Sequence, residues 1–476
     1  MRRWRGEPEG RTEGGLGPLL ERAERALVDG RYEEAFAALH DASQRQSDNG
    51  ERAAVYLQLA ACYALYGPDG VEGGAPALSA AVAADPKLAS DPLYQALYWS
   101  FDAFRGGVES EIKRGLRAIG SGAPAVARFH AAAALLAVGA FKGALRALKG
   151  IDPDELPASL RWRRASLLGQ AHEALSEWPE AASAYLNAAE GAPASERESE
   201  RLAHAHTLLE LGRSLELLPL LEVIDEGLLT PHDVGHKRYL EGRTHLELGN
   251  PNLALEAFAE VADYDADAAD EFSLHYASAQ ALAALQRFDE ALERFDAAIQ
   301  AAPGEHRPFA QHEAAIVLIE AERFDEALPR LERVVADPSY PHAAEALADL
   351  ADVRVRAGDL EAAQRDAERA LELGAAGPAN LVLGAIAYEY FRLDEAIRCY
   401  EQALSAALPG DPVWVAAHQM LTDLHAQRGE VGAEQALRHA QAALPYTDAG
   451  SDWRLPLEER ILWARNLLGG HDRVLN

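Results

Sequence analysis

A segment that recurs at an almost fixed step constrains this chain more than anything else in it. Its clearest copies read Gln286-Arg287-Phe288-Asp289-Glu290-Ala291-Leu292, Glu322-Arg323-Phe324-Asp325-Glu326-Ala327-Leu328 and Phe391-Arg392-Leu393-Asp394-Glu395-Ala396-Ile397. Weaker copies begin at Gly30, Gly139 and Ser176. With the residue after the acidic pair as anchor, the series runs through positions 144, 181, 217, 254, 291, 327, 363 and 396, in steps of 37, 36, 37, 37, 36, 36 and 33. Two helices of three turns each, joined by short turns, need about that length, so the period itself predicts stacked helical hairpins.

Fixed offsets from the anchor turn the period into a packing argument. Twelve residues upstream, counting also from Ala35, stand Ala23, Ala132, Gly169, Ala205, Gly242, Ala279, Ala315, Ala351 and Gly384. All are small, as two helices crossing at close range require. Four residues downstream come Leu39, Leu148, Tyr185, Leu221, Phe258, Phe295, Leu331, Ala367 and Tyr400, on the same face as the anchor of a second helix. Three residues before the anchor an apolar plug recurs at Tyr32, Phe141, Trp178, Phe288, Phe324, Leu360 and Leu393, and it fails at Ser214 and Pro251. Pro193, Pro303, Pro338 and Pro409 mark helix ends, while Gly139, Gly212, Gly249 and Gly358 mark turns.

A small residue in the first helix, an aromatic-Asp-Glu-Ala opening of the second and a proline after it resemble the tetratricopeptide repeat, most strongly over residues 160–405. The period is two or three residues longer than that family's usual 34, and the first-helix Trp is mostly absent. The resemblance implies an all-α fold, a right-handed superhelical solenoid of roughly twelve hairpins plus a C-terminal capping helix. Residues 1–15 read as a disordered N-terminal tail and 16–150 as divergent repeats; 151–410 read as the regular array, and 411–476 as a degenerate repeat with the cap. Between Ala35 and Ala144 two degenerate hairpins are expected, near Gln58–Ala84 and Leu93–Ile119, and the final helix near Leu457–Leu468.

Composition narrows the function. Asp and Glu total 76 against 45 Lys and Arg, a net charge of -31 that repels polyanions, so nucleic acid is not an expected partner. No apolar run is long enough to cross a bilayer, and Met1-Arg2-Arg3-Trp4-Arg5 leads into polar sequence rather than a signal-peptide core, so no membrane insertion is expected. Two cysteines, Cys62 and Cys399, suit a reducing compartment, and a cytoplasmic location follows as the expectation. Forty arginines against five lysines, with abundant alanine, suggest a bacterial, GC-rich origin.

Chemistry-bearing constellations are sparse. The Asp-Glu pairs sit where a helix dipole favours anions, which accounts for them without acid–base catalysis. His232 and His236 have an i, i+4 spacing but no zincin glutamate and no third ligand; His204 and His206 point to different faces. The run from Gly67 to Gly74 lacks the Lys and Ser/Thr of a phosphate loop and reads as an ordinary loop, and Arg161, Arg163 and Arg164 read as a solvated face around Trp162. No catalytic residue, cofactor or metal is expected; the chain reads as no enzyme.

The resemblance implies that first helices line an inner wall. Offsets of fifteen and eleven before the anchor then present Gln170, His206, Tyr239, Arg243, Tyr276, Gln280 and His312, rings, amides and a guanidinium of the kind that anchor protein interfaces. The expected function is a non-catalytic protein–protein interaction scaffold that holds a peptide or partner protein on this strip. The alternative is a regulatory sensor that takes a small peptide or metabolite in the groove, for which an enclosed pocket would be the sign.

Overall fold

The computed structural model describes residues 16–45, 48–265 and 267–471. The tail expected at 1–15 lies outside the described residues. Among them are 25 α-helices and no strand, arranged as twelve helical hairpins and a final helix. The chain divides into two compact units, residues 1–269 and 270–476.

The first unit holds seven hairpins: Gly17–Val28 with Tyr32–Gln44, Asn49–Ala64 with Val71–Ala84, Pro92–Phe104 with Glu109–Ile119, Ala125–Ala137 with Phe141–Lys149, Ala158–Glu173 with Trp178–Gly191, Ala194–Glu210 with Ser214–Glu222, and Pro231–Glu247 with Pro251–Tyr264. The second holds five: Glu271–Ala284 with Phe288–Ala301, Arg307–Glu320 with Phe324–Val335, Ala343–Arg356 with Leu360–Glu372, Ala376–Glu389 with Leu393–Ala406, and Pro412–Ala426 with Ala433–Ala443, before the helix Arg454–His471. Within each unit several consecutive first helices touch one another, for example Ala194–Glu210 against Pro231–Glu247 and Ala343–Arg356 against Ala376–Glu389. First helices therefore form the closely spaced side of the stack.

The repeat acts through sizes. All nine anchors, Ala35, Ala144, Ala181, Leu217, Ala254, Ala291, Ala327, Ala363 and Ala396, are fully buried. Where the first helix has glycine, the second helix of the same hairpin places a ring over it: a Cβ on Gly169 would lie 2.6 Å from Tyr185, on Gly242 2.4 Å from Phe258, and on Gly384 2.7 Å from Tyr400. Where it has alanine, the buried partner is mostly Leu, as with Leu148, Leu221 and Leu331. Hole and filler are matched within each hairpin, as close packing demands.

The turn between helices is equally regular. Five residues before each anchor the backbone is left-handed, at Gly30, Gly139, Ser176, Gly212, Gly249, Gln286, Glu322, Gly358 and Phe391. Amides at and just after this residue close the first helix, as in Gly139 N–H to Leu136 O at 2.9 Å and Ala140 N–H to Leu135 O at 2.8 Å. Glycine takes this conformation freely, whereas the four other residues do so at a cost. The plug residues open the second helix and are half-buried. The acids beside them pair with arginine one turn back, as in Arg287–Glu290 and Arg323–Glu326.

Three local readings differ. The second hairpin starts at Asn49 rather than near Gln58, because the Asp48 carboxylate accepts the Glu51 N–H at 2.8 Å and caps the helix. The expected loop at Gly67–Gly74 is only a short 3-10 turn, Gly67–Gly70, with Val71–Ala84 helical behind it. Gly73 and Gly74 serve there as contact points, since a Cβ would reach within 2.4 Å of Tyr63 and 2.2 Å of Phe101. The arginines around Trp162 are not a solvated face. Arg163 stacks on Trp162 at 4.4 Å and bonds Tyr32 Oη at 2.7 Å, and Arg164 bonds Leu148 O at 3.0 Å.

The Tyr32 contact belongs to a closure of the first unit on itself. Ser159 Oγ donates to Glu24 at 2.9 Å, and a Cβ on Gly30 would lie 2.3 Å from Ser195 Oγ. The first hairpin is thus packed against the fifth and sixth.

Candidate functional site

First helices also carry side chains that hairpin packing does not consume. In the first unit these helices, with the start of the second helix Trp178–Gly191, place a connected row of rings. Trp178 lies 6.2 Å from His206, His206 lies 5.6 Å from His236 on the next hairpin, and His236 stacks at 6.3 Å on Tyr239. Arg243 donates to Tyr239 Oη at 3.1 Å. Of the expected strip, His206, Tyr239 and Arg243 are brought together. Gln170 is exposed one hairpin earlier and lines a separate cleft.

Electrostatics sorts this row. Burial, with His206 beside it, pushes the His236 imidazole down to about 4, so it is neutral at pH 7. Burial opposes the Arg243 charge, but Tyr239, Glu247 and Glu210 outweigh it and hold the guanidinium above its ordinary value. Tyr239 is buried, packed on Phe258, and supports Arg243 from beneath. His206 and Arg243 remain half-exposed, and His206 Nδ1 has no hydrogen-bond partner. A flat ring beside a supported guanidinium suits an amide, carboxylate or aromatic side chain.

In the second unit, Tyr276 is half-buried and packs on Phe272 at 5.5 Å and Phe295 at 5.7 Å; Gln280 lies one turn further on the same helix, also half-exposed. His312 is buried, with Nδ1 on Tyr340 Oη and Nε2 on Asp349 Oδ2, both at 2.8 Å. Its polar atoms are fully used inside the protein. The offsets did not reveal the rings that join these positions: Phe272 stacks on His306 at 5.3 Å, His306 lies 6.5 Å from Phe309, and Phe309 meets Tyr340 at 5.1 Å. Together they form an aromatic ladder at the entrances of three successive first helices. The signal was present, since His306 and His342 are one period apart.

His232 Nδ1 meets Asp265 Oδ2 at 3.2 Å. Among the described residues no three His, Cys, Asp or Glu side chains converge as a metal site requires. Cys62 is buried, its thiol pushed up to about 12 by burial and then by Glu24, the opposite of an activated nucleophile. No described helix is long and apolar enough to cross a membrane.

A family model described as tetratricopeptide repeat matches residues 239–306, 312–380 and 348–412. No curated protein matches in sequence. Solved structures that match include the Cut9–Hcn1 hetero-tetramer of the APC/C, 13% identical with a TM-score of 0.42, covering 94% of this chain and 97% of that one. Yeast Tom70 is 16% identical with a TM-score of 0.41, covering 96% of each chain. A repeat protein of the same description from Parabacteroides merdae is 15% identical with a TM-score of 0.41, covering 54% of this chain and 97% of that one.

Proposed function

We propose, from the premise that this chain is a tetratricopeptide-repeat protein, that it is a non-catalytic scaffold of a bacterial cytoplasm that holds a partner protein or peptide on its first helices. Protein–protein interaction is the general role of such a fold, and the finer assignment rests on what those helices leave uncovered. His206 and Arg243 are the contact residues of the first unit, with Tyr239 as the support beneath them. Tyr276 and Gln280 are those of the second, with His312 locking the helix behind. The observation that carries this reading is Arg243, a half-exposed guanidinium braced by a buried phenol at 3.1 Å. Such pre-organisation reduces the ordering cost of binding.

A photocrosslinking residue at position 243 or 280 in the native host should capture a common partner. The same residue at Glu256, exposed on the second helix Pro251–Tyr264, should not. Equal capture from all three positions, or capture from 256 alone, would remove the first helices as the binding side. Arg243→Ala should weaken the captured complex by about 1–3 kcal/mol.

A further inference from the structure

The first unit bears a half-open cleft of about 480 Å³, within the range of small-molecule sites. Five hairpins build it, the second to the sixth, and its walls differ in kind. Leu65, Phe104, Phe129, Leu136 and Phe141 supply an apolar and aromatic side. The first helices of the fifth and sixth hairpins supply the polar side, with Arg163, Ser166, Gln170, Glu196 and Glu200.

The charges on that polar side are not equally engaged. Arg163 is held by the Trp162 ring and by the Tyr32 hydroxyl. Glu196 reaches the same Tyr32 hydroxyl, so the first hairpin ties up both. Glu200 is different: Ser166 bonds its carboxylate, but its Oε2 is buried without a hydrogen-bond partner. Trp162 Nε1 and His130 Nε2, on two other residues of the lining, are also buried and unpartnered. Buried polar atoms are normally satisfied, so an unpaired carboxylate oxygen beside an aromatic cleft points to a missing counterpart.

We infer that this cleft binds a small amphipathic amine, with its apolar body against Phe104, Phe129 and Phe141 and its cationic nitrogen on Glu200. The aromatic wall attracts a cation as well as excluding water, and a chain with net charge -31 concentrates cations rather than anions. Burial pushes the Glu200 carboxyl up to about 7; Ser166 and Arg163 draw it down and Glu196 adds to the rise. The other groups facing it are His130, held neutral by burial, and the Tyr185 phenol. A bound cation favours the carboxylate, so binding strengthens from pH 6 to pH 8 and releases a proton near neutrality.

Phenethylamine is the probe, titrated into the full chain by calorimetry and by tryptophan fluorescence. Saturable one-to-one binding is expected, and phenylacetate, of similar shape and opposite charge, should not bind. Glu200→Gln should weaken phenethylamine at least about tenfold, the value of a charge-assisted bond. Ala133→Leu, which fills the cleft without altering charge, should abolish binding, with thermal melts confirming that both variants fold. Phenylacetate binding as well as phenethylamine, an unchanged Glu200→Gln affinity, or no saturable heat up to about 10 mM would overturn the assignment. The cleft lies wholly within hairpins two to six, so failed crosslinking at 243 and 280 leaves this test intact.

Discussion

The two units use one repeat in two ways. In the first, one large buried cluster runs from Ala23 through Leu97, Phe129 and Leu160, joining the first hairpin to the fifth, beside a small one of Leu19, Ala42 and Val55. In the second, separate clusters are confined to neighbours: Leu347 with Ala370 and Ala379, Ala351 with Ala367 and Ile386, Tyr400 with Leu421 and Leu424. The second is a nearest-neighbour stack, while the first acquires long-range ties through Glu24–Ser159 and Tyr32–Arg163. What separates them is therefore cooperativity more than local structure. The unit whose repeats diverge most is the one closed on itself, and it carries the cleft described above.

The sharpest way to break this comparison is to damage each core equally. Leu97→Ala and Leu331→Ala, both at fully buried leucines, should each cost about 2–5 kcal/mol. Hydrogen exchange should then show lost protection from the first hairpin through the fifth for Leu97, but only in the hairpins next to position 331 for the other. Equal spread in both would erase the distinction. Next in size is Gly242→Ala, whose new methyl would press on Phe258 and cost about 1–3 kcal/mol in a denaturant titration.

Acid should act on both units. Burial holds His130 at about 3 and His236 at about 4 in the first, and His439 at about 3 in the second, where an unfolded histidine titrates near 6.5. Folded values depressed in this way give stability that is complete above pH ~6.5 and is lost as the pH falls toward them. Melting temperature should decline from pH 7.5 to 4, and His130→Leu should flatten the decline in the first unit. Glu200, raised, works in the opposite sense and offsets part of it.

Smaller effects test the closure and the turns. Tyr32→Phe removes the phenol that Arg163 bonds and should cost the first unit about 1 kcal/mol, with exchange rising near both partners. Gln286→Gly, Glu322→Gly and Phe391→Gly, at left-handed turn positions, should each raise the melting point, by up to about 1 kcal/mol of stability. Phe391 is the notable case. It is 89% exposed and near Tyr390, so a gain in stability with lost partner capture would mark it as a contact residue.

Much of this fold was legible because hairpin packing is local. Anchor, hole and filler lie within sixteen residues of one another, and all three sets landed in the core. The cleft was not legible, since Leu65, Phe129 and Glu200 come together only through curvature accumulated over five hairpins. Among 76 acids nothing in the sequence singles out Glu200. Tyr239 and His312 stood at the offsets read as inner wall, yet ring size and a nearby Tyr340 and Asp349 drew them inward. Offset predicts which helix face a residue occupies, and depth depends on its neighbours.

The pairing of Gly169 with Tyr185, Gly242 with Phe258 and Gly384 with Tyr400 has an evolutionary consequence. Each lock and its key are inherited together on one stretch of about 36 codons. Unequal crossing-over can therefore duplicate or delete a whole stretch and leave every remaining fit intact. An exchange whose breakpoint falls between the two helices would instead part each of these glycines from the ring that fills it.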